Sequence, residues 1–290
     1  MIPAAFEYHA PATLRQAVSL LREYAGEARV LAGGQSLVPM MKLRLANPTG
    51  IVDLRHVDGL TGIEATADGL TIGAMTTHDA IASSALVREQ APLLAETVAT
   101  VGDVQIRNRG TIGGSTAHAD PAADLPAALL ACEARINIAG GSRRRTITAT
   151  RMFVDSFTTA LGDSEIITSI DVPGMPASTG GAYEKLPNKA SRFAIVGVAA
   201  LVTMAADGTC RRVRVGVTGA GPMAFRARAA ERYLTGREPS SIHLQAAAER
   251  APRGIELLDD IHGSPDYRRQ VTMALTRRAL ATACERAEQA

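Results

Sequence analysis

The first part of the chain alternates between the helical and the extended spacing of hydrophobic residues. Thr13 can cap a helix, and the apolar residues of 14–21 that follow it fall on one helical face. Short apolar runs at 29–32 and 51–54 have the length of strands, and the first of them leads into a pair of glycines. This pattern predicts a small lobe of helix and strand that closes near residue 55.

The following segment mixes strands and helices in the same way. Pro92 stands near the start of one apolar run, where its missing N–H does little harm to a helix. The pattern predicts strands over 69–74, 135–139 and 165–172, and helices over 78–89, 91–101 and 124–131.

A stretch rich in proline and glycine, 173–181, separates this segment from the last part of the chain. Beyond it, the pattern predicts strands over 194–205 and 213–217, then helices that begin near Ala224, Ser240 and Pro265. Strands followed by helices are typical of a small α+β domain. The predicted domains are 1–176, with lobes of about 1–55 and 56–176, and 177–290.

The composition describes a globular protein without a strong charge. Of the 290 residues 46% are hydrophobic, and the net charge of +2 argues against nucleic acid or an acidic membrane surface as a partner. The densest basic spot, 143–145, is interpreted as a solvated strand end or turn. The cysteines, Cys132, Cys210 and Cys284, form no CxxC motif, so the sequence predicts no metal or iron–sulfur site on this chain.

The N-terminus has no basic region followed by a long apolar stretch, so no signal peptide is predicted. The longest apolar run, 193–206, is shorter than the roughly 20 residues that cross a bilayer and predicts a buried strand. The expected location is the cytoplasm, with the inner face of the membrane reached only through a complex.

Two segments with paired glycines carry the candidate chemistry. Each of them, 32–37 and 111–115, follows an extended piece and combines Gly-Gly with a small hydroxyl residue. Glycine lets the backbone approach a ligand closely, and successive N–H groups in such a turn attract an anion. The hydroxyls of Ser36, Thr111 and Ser115 can add donors, so two such turns could hold a pyrophosphate from two sides.

Taken singly, these glycine pairs are weak signals. An isolated Gly-Gly is most often only a tight turn, and neither segment is a G-x-G-x-x-G fingerprint or a P-loop. Asp124 is equally consistent with a ligand role and with capping the helix that follows it. His78 and His118 are interpreted as surface or cap residues, and no catalytic triad or carboxylate pair can be assembled from the spacing.

Read together, the segments resemble a known family, the flavin subunits of molybdenum hydroxylases. Residues 32–37 resemble the first FAD loop of that family, and 105–114 resemble the second loop. Further matching stretches are 2–8, 72–76, 119–127 and 182–186. The likeness covers essentially the whole chain, and the order of the motifs is more specific than any one of them.

The resemblance implies an α+β fold. It consists of a two-lobed FAD-binding domain of the vanillyl-alcohol-oxidase (PCMH) type and a C-terminal domain of the carbon monoxide dehydrogenase flavoprotein type. FAD is expected to be bound non-covalently. The residues that the resemblance assigns to FAD are Ala32, Gly33, Gly34, Gln35, Ser36, Leu37, Val101, Thr111, Ile112, Gly113, Gly114, Ser115, Asp124, Ile167 and Lys185.

Within this set, Asp124 is expected to accept a hydrogen bond from a cofactor hydroxyl, Ile167 to give backbone or apolar contact, and Lys185 to lie near the polar edge of the flavin. The chain departs from the family at Ser115, where Asn is usual, and at Phe193, where carbon monoxide dehydrogenase relatives carry Tyr. Serine loses the amide donors, and phenylalanine keeps the ring without its hydroxyl.

The implied function is electron transfer rather than hydroxylation. A large partner subunit would oxidise the substrate at a molybdenum cofactor, and a small subunit with [2Fe-2S] clusters would pass electrons to FAD on this chain. The expected assembly is a dimer of heterotrimers that delivers electrons to an external acceptor. Two alternatives stay open: a self-sufficient FAD-dependent oxidase of the same fold, and a non-catalytic α/β scaffold whose glycine pairs are only turns.

Overall fold

The N-terminal lobe is built on a three-stranded parallel sheet. In the computed structural model, which describes residues 2–141 and 143–290, the strands β1 (Glu7–His9), β2 (Ala28–Leu31) and β3 (Gly50–Asp53) are ordered β1-β3-β2. Helix α1 (Leu14–Glu23) starts at a capping box formed by Thr13 and Gln16, and its predicted apolar face is buried in the core of this lobe.

The second lobe contains a five-stranded antiparallel sheet in the order β4-β5-β10-β6-β7. Its strands are β4 (Ile63–Thr66), β5 (Gly69–Gly73), β6 (Arg135–Gly140), β7 (Arg143–Thr148) and β10 (Ile166–Pro173). The short strands β8 (Phe153–Asp155) and β9 (Thr158–Thr159) pair separately. The arginine run interpreted as a solvated strand end is the start of the edge strand β7, whose side chains are largely exposed.

In the described part of these two lobes, eight α-helices follow α1 and connect the strands. They are α2 (Leu37–Lys42), α3 (His78–Ser83), α4 (Ala85–Gln90), α5 (Pro92–Ala99), α6 (Val104–Arg107), α7 (Ile112–His118), α8 (Leu125–Ala131) and α9 (Ala149–Met152). The single helix predicted over 78–89 is wrong, because Ser84 adopts an extended conformation that ends α3 and caps α4 through its side chain.

The C-terminal part is a four-stranded antiparallel sheet covered by helices. Its strands are β11 (Thr179–Pro187), β12 (Ala194–Met204), β13 (Cys210–Thr218) and β14 (Phe225–Arg226), and its helices are α10 (Arg228–Leu234), α11 (Ser241–Ala248) and α12 (Pro265–Glu288). Strand β11 begins inside the glycine-rich stretch predicted as a boundary. Gly180 has no side chain there because α12 packs on it, and a Cβ would lie 2.9 Å from the carbonyl carbon of Arg286.

Helices α5 and α8 of the second lobe pack directly on the C-terminal sheet. The closest approach is at Gly216 on β13, where a Cβ would lie 2.9 Å from the carbonyl carbon of Ala127 and would overlap its oxygen. The sheet therefore sits against the lobe that carries the second glycine segment. None of the helices in the described residues is both long and apolar enough to cross a membrane.

This contact gives a test of the packing. Gly216→Ala should lower the free energy of unfolding by about 1–3 kcal/mol, the usual cost of overpacking, because the added methyl group meets rigid backbone. Urea unfolding measures the change. Gly174→Ala is the control, since a Cβ at Gly174 would meet nothing closer than 3.6 Å. Equal stability of the two variants would contradict the packing.

Candidate functional site

A long cleft of about 670 Å³ opens between the two N-terminal lobes and reaches the C-terminal sheet. Its walls contain most of the residues that the sequence singled out: Ala32, Gly33, Gly34, Gln35, Ser36, Leu37, Val101, Thr111, Gly113, Gly114, Ser115, Asp124 and Ile167. Ile112 and Lys185 do not line it. Ile112 is fully buried behind the wall, and Lys185 is buried on β11.

The two glycine segments meet at the middle of the cleft. A Cβ on Gly33 would lie 2.8 Å from the Cα of Gly110 and would overlap the carbonyl oxygen of Arg109, so the first segment rests on the backbone that leads into the second. Ala32 also approaches Gly114, where a Cβ would lie 3.4 Å from the Cβ of Ala32. Segments far apart in the chain thus form one continuous surface.

The first glycine segment presents free donors. Gly34 has a φ of 74°, which turns the loop between β2 and α2. Within the described residues, the backbone N–H groups of Gly33, Gly34, Gln35 and Ser36 donate to no other protein atom, and the Ser36 hydroxyl has no partner either. Several unpaired donors on consecutive residues that line one cleft suit a ligand with negatively charged oxygens.

The second glycine segment is a helix start rather than a free turn, which corrects the expectation of two equivalent anion-binding turns. Its N–H groups are already used: Ile112 donates to Thr76 O at 3.1 Å, Gly113 to Ala74 O at 2.8 Å and Gly114 to the side chain of Thr111 at 3.1 Å. The segment therefore offers the start of α7 and the Ser115 hydroxyl, which has no protein partner among the described residues.

At one end of the cleft, a buried carboxylate is held from the C-terminal sheet. Asp124 accepts hydrogen bonds from the Tyr183 hydroxyl at 2.6 Å and from Lys185 Nζ at 2.8 Å, and Lys185 also donates to Thr100 O at 3.2 Å. The side chains of Asp124 and Lys185 are 5% and 7% exposed. Asp124 makes no side-chain cap to α8, so the capping alternative is wrong.

Apolar residues line other parts of the cleft. Ile167 lies on β10 where the pairing with β6 shifts register, and Val101 follows α5. Phe193, 44% exposed, stands at the cleft from the loop that precedes β12. A cleft that combines unpaired backbone donors with apolar wall residues suits a dinucleotide cofactor that has a charged centre and flat rings.

Sequence reasoning missed two histidines and an aromatic residue of this site. His118 packs its ring on Phe157, with centroids 5.1 Å apart, and both line the cleft. His78 lines it as well, although it was interpreted as a surface or cap residue; it is 4% exposed and its Nδ1 has no partner in the described chain. Gly110 packs against His78, since a Cβ on Gly110 would come within 2.8 Å of the imidazole. This glycine is the sequence feature that accompanies the burial of His78.

The fold and the cleft define a protein that can hold a dinucleotide, and comparison with known proteins assigns its family and its cofactor. The model for the FAD-binding domain in molybdopterin dehydrogenase matches residues 4–175. The model for the carbon monoxide dehydrogenase flavoprotein C-terminal domain matches 181–283. The chain belongs to this family: it is a medium, FAD-binding subunit of the molybdenum hydroxylases.

Individual relatives agree with this assignment over their full length. The chain is 39% identical to the carbon monoxide dehydrogenase medium chain of Hydrogenophaga pseudoflava, over 99% of both proteins. It is 37% identical to the 6-hydroxypseudooxynicotine dehydrogenase complex subunit alpha of Paenarthrobacter nicotinovorans, over 99% of this chain and 97% of that one. A solved carbon monoxide dehydrogenase from H. pseudoflava superposes with a TM-score of 0.96 at 41% identity, covering 99% of each chain.

The contact between the glycine segments gives a test of the site. Gly33→Ala should weaken FAD binding by at least about tenfold, equivalent to about 1.4 kcal/mol, because the methyl group must push the two segments apart. Flavin fluorescence titration of the chain without its cofactor measures the affinity. Gly174→Ala should bind FAD as the natural chain does. An unchanged affinity in Gly33→Ala would show that the segments do not share one ligand.

The buried histidine gives a pH-dependent prediction. Burial, followed by the charge of Arg107, lowers the pKa of His78 from 6.5 to about 4. As the pH falls, this histidine takes up a proton at a higher pH in the unfolded chain than in the folded chain. The free energy of unfolding therefore has its full value above pH 6.5 and decreases as the pH drops towards 4, by up to about 3 kcal/mol.

His78→Leu should remove most of this dependence between pH 6.5 and 4. Urea unfolding across that window measures it, and the exposed His56, changed to Gln, is the control. A His78→Leu chain whose stability follows the same slope as the natural chain would refute the assignment.

Proposed function

We propose that this subunit is an electron-transfer flavoprotein, which receives electrons from [2Fe-2S] clusters of a partner subunit and passes them to an external acceptor. The observation that carries the proposal is the junction of the two glycine segments inside one cleft, with free N–H groups on the first and a hydroxyl on the second. Family membership supplies the cofactor, since the matching domain is the FAD-binding domain of molybdopterin dehydrogenases.

The residues of the chain divide the binding task. We infer that the N–H groups of 33–36 and the hydroxyls of Ser36 and Ser115 hold the diphosphate of FAD, because they are the unpaired donors in the middle of the cleft. Asp124 and Val101 would contact the flavin half of FAD, at the end of the cleft that lies beside the C-terminal sheet. When bound, FAD supplies the conversion between one-electron and two-electron transfer.

Ile167 is proposed as a contact for another part of the cofactor through its backbone or its apolar side chain. Exclusion of water by the apolar walls keeps the ring in a low-dielectric environment, where fixed charges act more strongly. Serine at 115 is shorter than the usual asparagine, so its contact would run through the hydroxyl or through a water molecule.

The partners follow from the kind of relative that this chain matches. Its relatives carry names of medium chains or of subunits of dehydrogenase complexes. We propose a large subunit with the molybdenum cofactor and a small subunit with the [2Fe-2S] clusters, assembled as a dimer of heterotrimers. The substrate of the complex would be selected by the large subunit, because this chain contributes only the flavin step.

The test is purification of the native complex from its source, followed by metal analysis and rapid-mixing spectroscopy. Molybdenum, iron and acid-releasable FAD should co-purify, and an oxidisable substrate should reduce the iron–sulfur centres before the flavin absorbance bleaches. The isolated chain should bind FAD and show no turnover with organic substrates. Substrate turnover by the isolated chain would replace the proposal with the oxidase alternative, and a chain that stays colourless with FAD would favour the scaffold.

A further inference from the structure

The Asp124 carboxylate differs from the rest of the cleft wall, because its partners come from another domain. Both of its oxygens are used: Tyr183 donates to Oδ1 and Lys185 to Oδ2. Neither partner lines the cleft, whereas Asp124 does. Asp124 is therefore the member of this buried group of three side chains that lines the cleft. The other two, Tyr183 and Lys185, come from β11.

Strand β11 is aligned with α5 in a way that fixes this group. Alternate strand residues meet successive turns of the helix: Gly181 meets Leu93, where a Cβ would come within 2.9 Å of the leucine Cβ, and Lys185 donates to Thr100 O at 3.2 Å. Between them, the Tyr183 N–H donates to Glu96 Oε1 at 3.1 Å. Two residues along a strand and one turn of a helix cover similar distances, so alternate residues of β11 lie next to successive turns of α5.

The neighbouring strand leaves space for the Tyr183 hydroxyl. Gly197 on β12 lies under the ring, and a Cβ there would come 3.0 Å from the Cζ of Tyr183 and would overlap its oxygen. The ring is 6% exposed. Burial and the charge of Asp124 raise the pKa of Tyr183 well above 10, so the phenol stays a hydrogen-bond donor.

We propose that Tyr183 and Lys185 are positioning residues that act through Asp124, holding its carboxylate ionised and fixed so that it accepts a hydrogen bond from a hydroxyl of bound FAD. The inference rests on the proposed function, because the ligand is FAD. It assigns Lys185 a role behind the cleft wall and gives the C-terminal sheet a part in cofactor affinity.

The electrostatics of the group explain why two partners are needed. Burial is the largest influence and leaves the pKa of Asp124 above its usual value, although the charge and hydrogen bond of Lys185 and then the hydrogen bond of Tyr183 lower it in part. A buried carboxylate without such partners takes up a proton instead of staying charged. A protonated carboxyl is a poorer acceptor, so removal of either partner should make FAD binding depend on pH.

Other ionisable groups line the cleft or contact Tyr183, and their titration must be separated from that of Asp124 in the test. Glu96 pairs with Arg286 behind Tyr183, and His118, Asp120 and Arg192 stand on the walls of the cleft. Burial lowers the pKa of His118, which can contribute its own pH dependence to FAD affinity. A readout on the Asp124 carboxyl itself is therefore required beside the affinity.

The experiment compares the full chain with Tyr183→Phe, which keeps the ring and removes the hydroxyl. Carboxyl ¹³C resonances of aspartate-labelled chain are followed from pH 5 to 8.5 without FAD, and Asp124→Asn identifies the Asp124 signal. We expect the Asp124 midpoint to rise by about one pH unit in Tyr183→Phe, because a hydrogen bond to a charged group is lost. FAD affinity should fall about tenfold at the acid end, and the loss should shrink as the pH rises.

Two further variants control the test. Tyr8→Phe removes a similar bond, from a tyrosine hydroxyl to Asp53 at 2.8 Å, outside the cleft, and should leave both FAD affinity and its pH profile unchanged. Asp124→Asn should bind FAD more weakly over the whole pH range, because it has no carboxyl group to protonate. The double variant with Tyr183→Phe should lose no more affinity than Asp124→Asn alone.

The outcomes separate the proposals. A Tyr183→Phe chain that is less stable but keeps the natural Asp124 midpoint and pH profile would overturn the positioning role. If Tyr183→Phe does not fold, the natural chain decides: an Asp124 carboxyl that stays protonated without FAD across pH 5 to 8.5 would overturn it equally. A natural chain that binds no FAD would sink the proposed function, while the carboxyl titration without FAD would still decide whether Tyr183 holds the Asp124 charge.

Discussion

Backbone that touches backbone without side chains in between determines the shape of the cleft. Gly33 rests on 109–110, and Gly113 lies so close to Ala74 that a Cβ would come within 2.6 Å of the alanine methyl. Contacts of this kind cannot open by a side-chain rotation, so the walls keep their spacing. The free N–H groups of 33–36 are consequently fixed in place before a ligand arrives, which lowers the entropic cost of binding it.

This rigidity also explains why the two glycine segments play different roles. The N–H groups at the start of α7 donate to the carbonyls of Ala74 and Thr76. These hydrogen bonds hold the segment in place and leave the same N–H groups unavailable to a ligand. The first segment, which is held in place by that contact, keeps its donors free. The first segment keeps unpaired donors while the second segment, whose N–H groups are paired, holds it in place.

The sequence predicted local features well and contacts between distant segments poorly. The buried face of α1 and the strand β2 before the first glycine pair follow from hydrophobic spacing, which is a local property. That both glycine pairs share one cleft came from the resemblance to a family, because spacing alone carries no information on which turns meet. The burial of His78 and the break at Ser84 were missed, since the first depends on Gly110 and the second on a single cap.

The same limit explains why the role of the C-terminal sheet could not be seen in the sequence. Lys185 and Tyr183 have the alternation of an ordinary strand, and a lysine on a strand is normally a solvated edge residue. The burial of Lys185 depends on Thr100 at the end of α5, whose carbonyl accepts a hydrogen bond from Nζ, and on Asp124, which neutralises the charge of the lysine. A buried charge is tolerated only where such partners already exist. The ion pair between Lys185 and Asp124 is therefore a consequence of how the C-terminal sheet packs on α5. The C-terminal domain contributes few residues to the cleft wall, but it supplies the partners of the Asp124 carboxylate.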